Sequence, residues 1–545
     1  MRNTLAALTT LLLAGAIILG WWWPNRAEDP AAAVHVQKFN SLSYAGYRAW
    51  ESPLTDNFPT QQEVDDDLAL LAPTTRAIRT YAAIEGTYDV AALAQKHGLK
   101  VWQGIWLGGD RAHNAVEMAR GIALAHLYPD TIERVVVGNE VLLRRDLPVD
   151  ELIADIDQVK AAVRQPVAYA DVSDFWEQFP QVAPHVDVVL IHLLPYWEDT
   201  PTGIDHAVGY VGQVYDRLHA LFPQQKIAIG ETGWPSRGRQ RADALPGRVN
   251  EARFLREFIA LSEEKGFDYN FIEAFDQDWK YESEGIVGAN WGIFRADRTP
   301  KIPLQGPLEA DPRWPVHAGF SLVCGMMLSA LGFAAGAGRR VLLLCVVGMV
   351  LGAAVGVAQA GVEGVLYDVH VRLAAVVNIG GQALLAGLMM LRVAGVLAPC
   401  PERTGADATR TVQALLRGRR PELAGAFEDV FFVFLWTAAV LQMLLVFDPR
   451  YREFPLSSFA VPLVVAGARV VLRERRQAGG VEALFVGLVL AGGAVASLVQ
   501  EGFLNGQSLV WNCCALLLSG YALSARGVWR LPAPHAASLH AGYGD

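Results

Sequence analysis

The feature that most restricts this chain is a train of apolar segments beyond residue 310. They run over Ala318–Gly336, Val341–Ala360, Leu373–Leu391, Val430–Phe447, Pro455–Leu472, Ala483–Val499 and Leu509–Ala525. Most approach the ~20 apolar residues that carry a helix through a bilayer. Backbone in lipid must satisfy its own hydrogen bonds, so a train of this kind is expected to fold as a bundle of transmembrane helices. An eighth run, Leu5–Trp23, opens the chain behind Arg2. It exceeds the ~7–15-residue apolar core of a cleaved signal peptide, which points to a retained signal anchor over residues 1–24.

Arginine placement orients the bundle. With the N-terminus in the cytoplasm, the inner loops collect Arg339, Arg340, Arg403, Arg410, Arg417, Arg419, Arg420, Arg473, Arg475 and Arg476. The outer loops hold Glu363, Asp368 and Arg372, then Asp448, Arg450, Arg452 and Glu453, then Glu501. This is the positive-inside pattern. It predicts a multi-pass protein of the inner (plasma) membrane with eight spans, both termini in the cytoplasm, and everything between the first two spans on the periplasmic side. Asn378, Gln382, Gln442 and Asn512 fall inside apolar runs, where hydrogen bonding between helices is the expected role. No central Asp, Glu or Lys marks an ion path.

Up to about residue 310 the character is different. That part has 28 basic and 42 acidic residues, net −14, against 18 Arg, no Lys and 14 acidic residues afterwards, net +4. An acidic soluble half argues against a nucleic-acid partner. All five cysteines lie beyond residue 310, so the soluble half has neither a disulfide nor a thiolate metal site. Its histidines show no metal-ligand spacing, and no metal or cofactor is expected.

Eight short segments rich in β-branched and aromatic residues recur there: Phe39–Tyr44, Ala77–Tyr81, Lys100–Leu107, Arg134–Glu140, Pro166–Asp171, Asp187–Tyr196, Lys226–Glu231 and Tyr269–Phe275. Helix-like stretches such as Glu63–Leu71 and Ala112–His126 separate them. Strand–helix alternation without hairpins argues for a parallel sheet, and eight units in ~250 residues for a (β/α)8 TIM barrel. An open doubly wound sheet fits less well, because no glycine-rich phosphate turn follows the first strand.

Two glutamates end predicted strands, where such a barrel places its chemistry. Glu140 closes the fourth in Val137-Gly138-Asn139-Glu140, and Glu231 the seventh in Ile229-Gly230-Glu231-Thr232-Gly233-Trp234-Pro235. Paired carboxylates are what glycoside cleavage requires: one protonates the leaving oxygen and the other attacks or stabilises the sugar cation. Trp106, Trp176, Trp197, Trp234 and Trp279 lie near strand ends, where flat rings suit the apolar faces of sugars. His192, on the sixth strand, is read as packing near the site.

The strings Asp67–Tyr81, Val135–Arg144, Ile227–Gly238 and Phe271–Lys280, followed by Gly292–Lys301, resemble glycoside hydrolase family 17, the β-1,3-glucanase and glucanosyltransferase family. The likeness covers about residues 38–303. It implies a retaining barrel with Glu140 as acid/base and Glu231 as nucleophile. It further implies that Asn139 bonds the substrate 2-hydroxyl, that Tyr44, Tyr81 and Tyr196 line the site, and that Glu273 and Lys280 occupy further site positions. Trp106, Trp197 and Trp234 complete the expected substrate-binding set.

The domain plan is an anchor at 1–24, a barrel at 35–310, a membrane bundle at 317–527 and a cytoplasmic tail at 528–545. The expected partners are β-glucan, membrane lipid and a glucan synthase or exporter. The expected activity is cleavage of β-1,3-glucan with glucosyl transfer in periplasmic or exported β-glucan synthesis or remodelling. The competing reading is a glucan-binding sensor or export accessory protein whose membrane bundle is the functional core.

Overall fold

The computed structural model describes residues 2–32, 38–335, 340–363, 369–400, 403, 405–419, 423–471 and 481–524. Eight parallel strands close into a barrel in sequential order. They are β1 (Phe39–Ser43), β2 (Thr75–Arg79), β3 (Lys100–Ile105), β4 (Ile132–Asn139), β5 (Val167–Val172), β6 (Val188–His192), β7 (Lys226–Thr232) and β8 (Tyr269–Phe271). The expected barrel is therefore present, and the open sheet is not.

Its interior is lined by Ala77, Trp102, Val136, Ala168, Ala170, Val188, Leu190 and Ala228. The small side chains leave room for the Trp102 ring, over which the Arg134 guanidinium sits at 4.0 Å. Outward-facing strand residues pack on helices such as Gln61–Leu71, which buries Val64, Leu68 and Leu71. A capping box between Thr60 and Glu63 starts that helix.

Six strands stop short of their expected ends, β6 and β8 by the most, four residues each (His192 against Tyr196, Phe271 against Phe275). β6 ends at His192, and the chain then turns, with the Trp197 amide donating to the Leu194 carbonyl at 2.7 Å. Pro195 has no N–H to continue a ladder. Beyond β8, the Glu273 amide donates instead to the Trp291 carbonyl at 3.1 Å.

Among the described residues, six helices are long and apolar enough to cross a membrane: Thr4–Asn25, Trp314–Ala335, Val341–Val362, Val369–Val393, Gly425–Phe447 and Val481–Glu501. Of the other two expected spans, one forms only the short apolar stretch Ser457–Val471. The last forms Gly506–Leu523, whose Gln507, Ser508 and Asn512 dilute its apolar character. The cytoplasmic tail expected at 528–545 lies outside the described residues, as do Asp368, Arg339, Arg420, Arg473, Arg475 and Arg476.

The N-terminal helix packs on the bundle, with Trp21 Nε1 donating to Ser321 Oγ at 3.0 Å. The amides of the apolar runs do bond between helices. Gln382 Nε2 donates to Ser457 O at 3.0 Å and its Oε1 accepts from the Val461 amide at 3.0 Å. Trp511 Nε1 donates to Gln442 Oε1 at 2.7 Å. The helix that begins before Val430 also brings in Glu428 and Asp429, which pair with Arg469 at 2.7 Å and with Arg403 at 2.8 Å.

The helical region grips the loops that follow the barrel strands. Arg239, after β7, donates to the Arg452 carbonyl at 2.6 Å and pairs with Glu501. The Gln240 amide donates to Gln507 Oε1 at 2.9 Å, and Asn505 Nδ2 donates to the Gln240 carbonyl at 2.8 Å. After β1, Trp50 lies beneath the Arg372 guanidinium at 4.8 Å.

Candidate active site

Glu140 and Glu231 face each other at the C-terminal mouth of the barrel. One carboxylate oxygen of each lies, together with a ring nitrogen of His192, in a cluster whose members are within 4.8 Å of one another. Glu231 is buried; Glu140 is half-buried.

Glu140 sits just past β4 with φ +53°, after Gly138 at φ +84°. A left-handed glutamate costs about 1–3 kcal/mol unless its surroundings over-determine it. Here they do. The Glu140 amide donates to the Ala170 carbonyl at 2.8 Å. The Arg144 guanidinium binds the carbonyls of Asn139 and Leu107, pairs with Asp146 at 2.7 Å, and lies over Trp106 at 4.2 Å.

Arg79, at the end of β2, is the centre of the site. Nη1 donates to Glu231 Oε1 at 3.1 Å and to the Gly230 carbonyl at 2.8 Å, and Nη2 donates to Asn139 Oδ1 at 2.6 Å. Nη1 also meets His192 Nε2 at 3.2 Å. A carboxylate only accepts, so His192 Nδ1, which faces Glu140, carries a proton. Nδ1 then donates to Glu140 Oε1 at 2.8 Å. His192 thus ties the two glutamates into one network.

A second line of donors ends on Glu231. Asn270 Nδ2 donates to Ser43 Oγ at 2.7 Å, Ser43 donates to Tyr81 Oη at 2.8 Å, and Tyr81 donates to Glu231 Oε1 at 2.8 Å. With Arg79, it holds that oxygen as an aligned anion. Burial pushes the Glu140 carboxyl up. The hydrogen bond and charge of His192, with Arg144 and Arg79, outweigh it and hold Glu140 below its ordinary range. Glu140, His192 and Glu231 form a donor set that a cation could use, yet Arg79 already engages two of the three.

The structure brings Asn139, Tyr81, Glu140 and Glu231 together, and places Glu273 and Lys280 beside them as a buried pair at 2.8 and 2.9 Å. Trp106 and Trp197 are half-buried at the mouth. Three expected residues point elsewhere. Tyr44 is buried with its hydroxyl 3.3 Å from Asp67. Tyr196 donates to the Arg239 carbonyl at 2.6 Å, and Trp234 donates to the Leu245 carbonyl at 3.1 Å while stacking on Phe254. These side chains build the wall that holds the mouth. Trp176 is likewise buried, bonded to the Leu190 carbonyl. Arg79, Arg144 and Ser43 were not singled out from the sequence, although Arg79 stands in one of the motif strings as a charge ending an apolar strand.

Five carboxyls in and around the barrel, Glu251 and Glu273 buried and Glu85, Glu198 and Glu453 half-buried, are raised by desolvation: Glu85 and Glu251 to about 8, and Glu198, Glu273 and Glu453 to about 7. Lys280 draws Glu273 down and Lys301 draws Glu251 down, but burial prevails. Between the ordinary value of a glutamate and these raised values, the folded state holds protons that the unfolded chain has released. Stability therefore falls as pH rises through this window, by up to about 1.4 kcal/mol per pH unit for each group. The thermal midpoint is expected to decline from pH 5.5 to 8, and Lys280→Met to extend the decline upward by removing the cation opposite Glu273. A midpoint that is flat or rises over this range would contradict the assignment.

A closed parallel barrel with two facing glutamates at its strand ends has the form of a glycosidase. Residues 41–292 match the model of the BtgE/BtgC glycoside hydrolase domain. A glucan 1,3-β-glucosidase of Schizosaccharomyces pombe is 30% identical over 255 residues, spanning 44% of this chain and 79% of that protein. A glucan 1,3-β-glucosidase of Candida albicans is 26% identical over 264 residues, spanning 44% and 85%. An active-site mutant of Rhizomucor miehei β-1,3-glucanosyltransferase, solved with laminaritriose, is 25% identical, with a TM-score of 0.43, covering 49% of this chain and 98% of that one. The chain belongs to the BtgE/BtgC glycoside hydrolase family and is an enzyme of that class. The resemblance to glycoside hydrolase family 17 read from its motifs agrees with this.

Proposed function

We propose that the protein is a membrane-bound, retaining β-1,3-glucan glycosidase that also passes the cleaved glycosyl unit to another glucan. The observation that carries this reading is the facing pair Glu140 and Glu231, with oxygens inside a 4.8 Å cluster. So short a separation favours direct attack by one carboxylate, since an inverting pair stands ~6.5–9.5 Å apart to admit a water. Glu231, aligned by Arg79 and Tyr81, is the nucleophile. Glu140 is the acid/base: once it has gained the proton that His192, Arg144 and Arg79 disfavour in the free protein, it gives that proton to the leaving oxygen, then takes one from the acceptor, water or a sugar hydroxyl. Asn139, held by Arg79, is positioned for the 2-hydroxyl, with Trp106 and Trp197 for sugar rings and Glu273 with Lys280 for hydroxyls. The β-glucan substrate is supported by the glucan 1,3-β-glucosidases among the relatives.

The six apolar helices support insertion in the inner membrane, with eight crossings if Ser457–Val471 and Gly506–Leu523 also span. The arginine asymmetry supports a periplasmic barrel, lipid contact and a role in glucan synthesis or remodelling beside a synthase or exporter. The test is to incubate the full chain in detergent with laminari-oligosaccharides and resolve products by mass and linkage. Both shorter and longer chains are expected, and intact spheroplasts carrying the protein should process added oligosaccharide without lysis. Unchanged chain lengths, with wild type and Glu231→Gln alike, would sink the reading. Conversion only after lysis would overturn the sidedness.

A further inference from the structure

The contacts between barrel and helical region fall on the face that carries the carboxylates. They involve the loop after β1 through Trp50, the loop after β6 through Trp197, the loop after β7 through Arg239 and Gln240, and the segment after β8 through Gly285. Among the described residues, no hydrogen bond, ion pair or ring contact joins the loops after β2–β5 to the helical region. Among the described residues, the catalytic mouth is thus roofed on the side of the loops after β6, β7, β8 and β1.

The roof comes closest in the stretch between helices Leu423–Phe447 and Ala460–Val471. The Tyr451 ring lies 6.0 Å from the Trp197 ring, edge to face, and 38% of Tyr451 is exposed. Trp197 in turn packs on Trp291 at 6.2 Å. The approach of Tyr451 depends on Gly285. That residue has φ +69°, and a side chain there would run into the Tyr451 carbonyl. Next to Tyr451, Arg450 carries a charge that reaches the site. Burial raises the Glu284 carboxyl and Lys280 lowers it; Glu231, Glu140 and Arg450 are all near enough to act on it. Glu284 therefore feels both the catalytic pair and a cation of the helical region.

We infer that the substrate cleft is composite: Tyr451, supplied by the helical region, extends the Trp197 ring into an aromatic platform for glucosyl units beyond those bound by the barrel alone. Exposed aromatic faces suit the apolar faces of sugar rings, and with its ring at 63° to Trp197, Tyr451 adds a second aromatic wall beside it. The inference rests on the glucan reading above and adds a binding site to it. Arg450 lies beside the platform, placed to donate to sugar hydroxyls.

The experiment measures binding of laminari-oligosaccharides of two to eight glucosyl units to the full chain in detergent, in the inactive Glu231→Gln background. Tyr451→Ala is expected to weaken binding of the longest oligosaccharides five-fold or more, and to weaken the shortest that bind by a clearly smaller factor. Tyr451→Phe should restore the long-chain affinity, because it keeps the ring. Equal affinities with and without Tyr451→Ala would overturn the proposal, and so would weakening by the same factor at every length. If the Glu231→Gln reference protein binds no glucan of any length, and the wild type cleaves none, the glucan reading fails and the composite cleft falls with it.

Discussion

Glu231→Gln is expected to lower glucan cleavage by on the order of 10^4-fold, the scale on which removal of a member of a nucleophilic constellation acts, while oligosaccharide binding persists. The amide matches the carboxylate in shape, so its carbonyl can still accept from Tyr81 and Arg79, which now bond Glu231 Oε1 at 2.8 and 3.1 Å. It cannot form the glycosyl ester. Initial rates on laminaripentaose, compared with its dissociation constant, separate the two effects. More than about one per cent of wild-type rate, beyond what deamidation explains, would remove Glu231 from the nucleophile's role. Losing binding and rate together would recast it as a substrate-holding residue.

The next largest effect is expected at Arg79. Its side chain is buried and supports Glu231, Asn139 and His192 together. Removing one partner of a buried ion pair leaves the other uncompensated, at about 3–5 kcal/mol. Arg79→Met should therefore lower the thermal midpoint markedly. Arg79→Lys keeps the charge but not the fork that reaches Glu231 and Asn139 at once. That variant should fold and still lose about 10²-fold in kcat/KM, the loss typical of a misplaced stabilising group. Circular dichroism with initial rates is the check, and a lysine variant with wild-type kcat/KM would contradict the positioning role.

The barrel was legible because its strands repeat as buried apolar runs between amphipathic helices. Both glutamates were legible because strand ends are where such a barrel concentrates function. The errors in detail have one physical source. In a strand, side chains alternate between faces, so a one-residue error in where it ends reverses what the last residues face. Had β6 continued to Tyr196, that ring would share the inward face of His192; the chain turns after His192, and Tyr196 bonds Arg239 instead. Tyr44 and Trp234, just beyond the ends of β1 and β7, bond Asp67 and the Leu245 carbonyl in the wall. Arg79 was missed because an inward charge on a strand is recognised only once partners from β4, β6 and β7 close around it. Likewise, Arg239 and Glu501 are 262 residues apart, and no local pattern pairs them.

The one-sided roof over the barrel has a consequence for traffic. A polymer cannot descend on the carboxylates over the loops after β6, β7, β8 and β1, where the helical region sits; Trp106, after β3, stands on the opposite flank. On the membrane-bound reading proposed above, the roof would also stand between the barrel mouth and the bilayer. A strand of glucan lying along the membrane would thread past the glutamates without lifting off. A free chain end tumbling in bulk solution would find the same entrance far less often. On that reading the arrangement would select its polymer by posture.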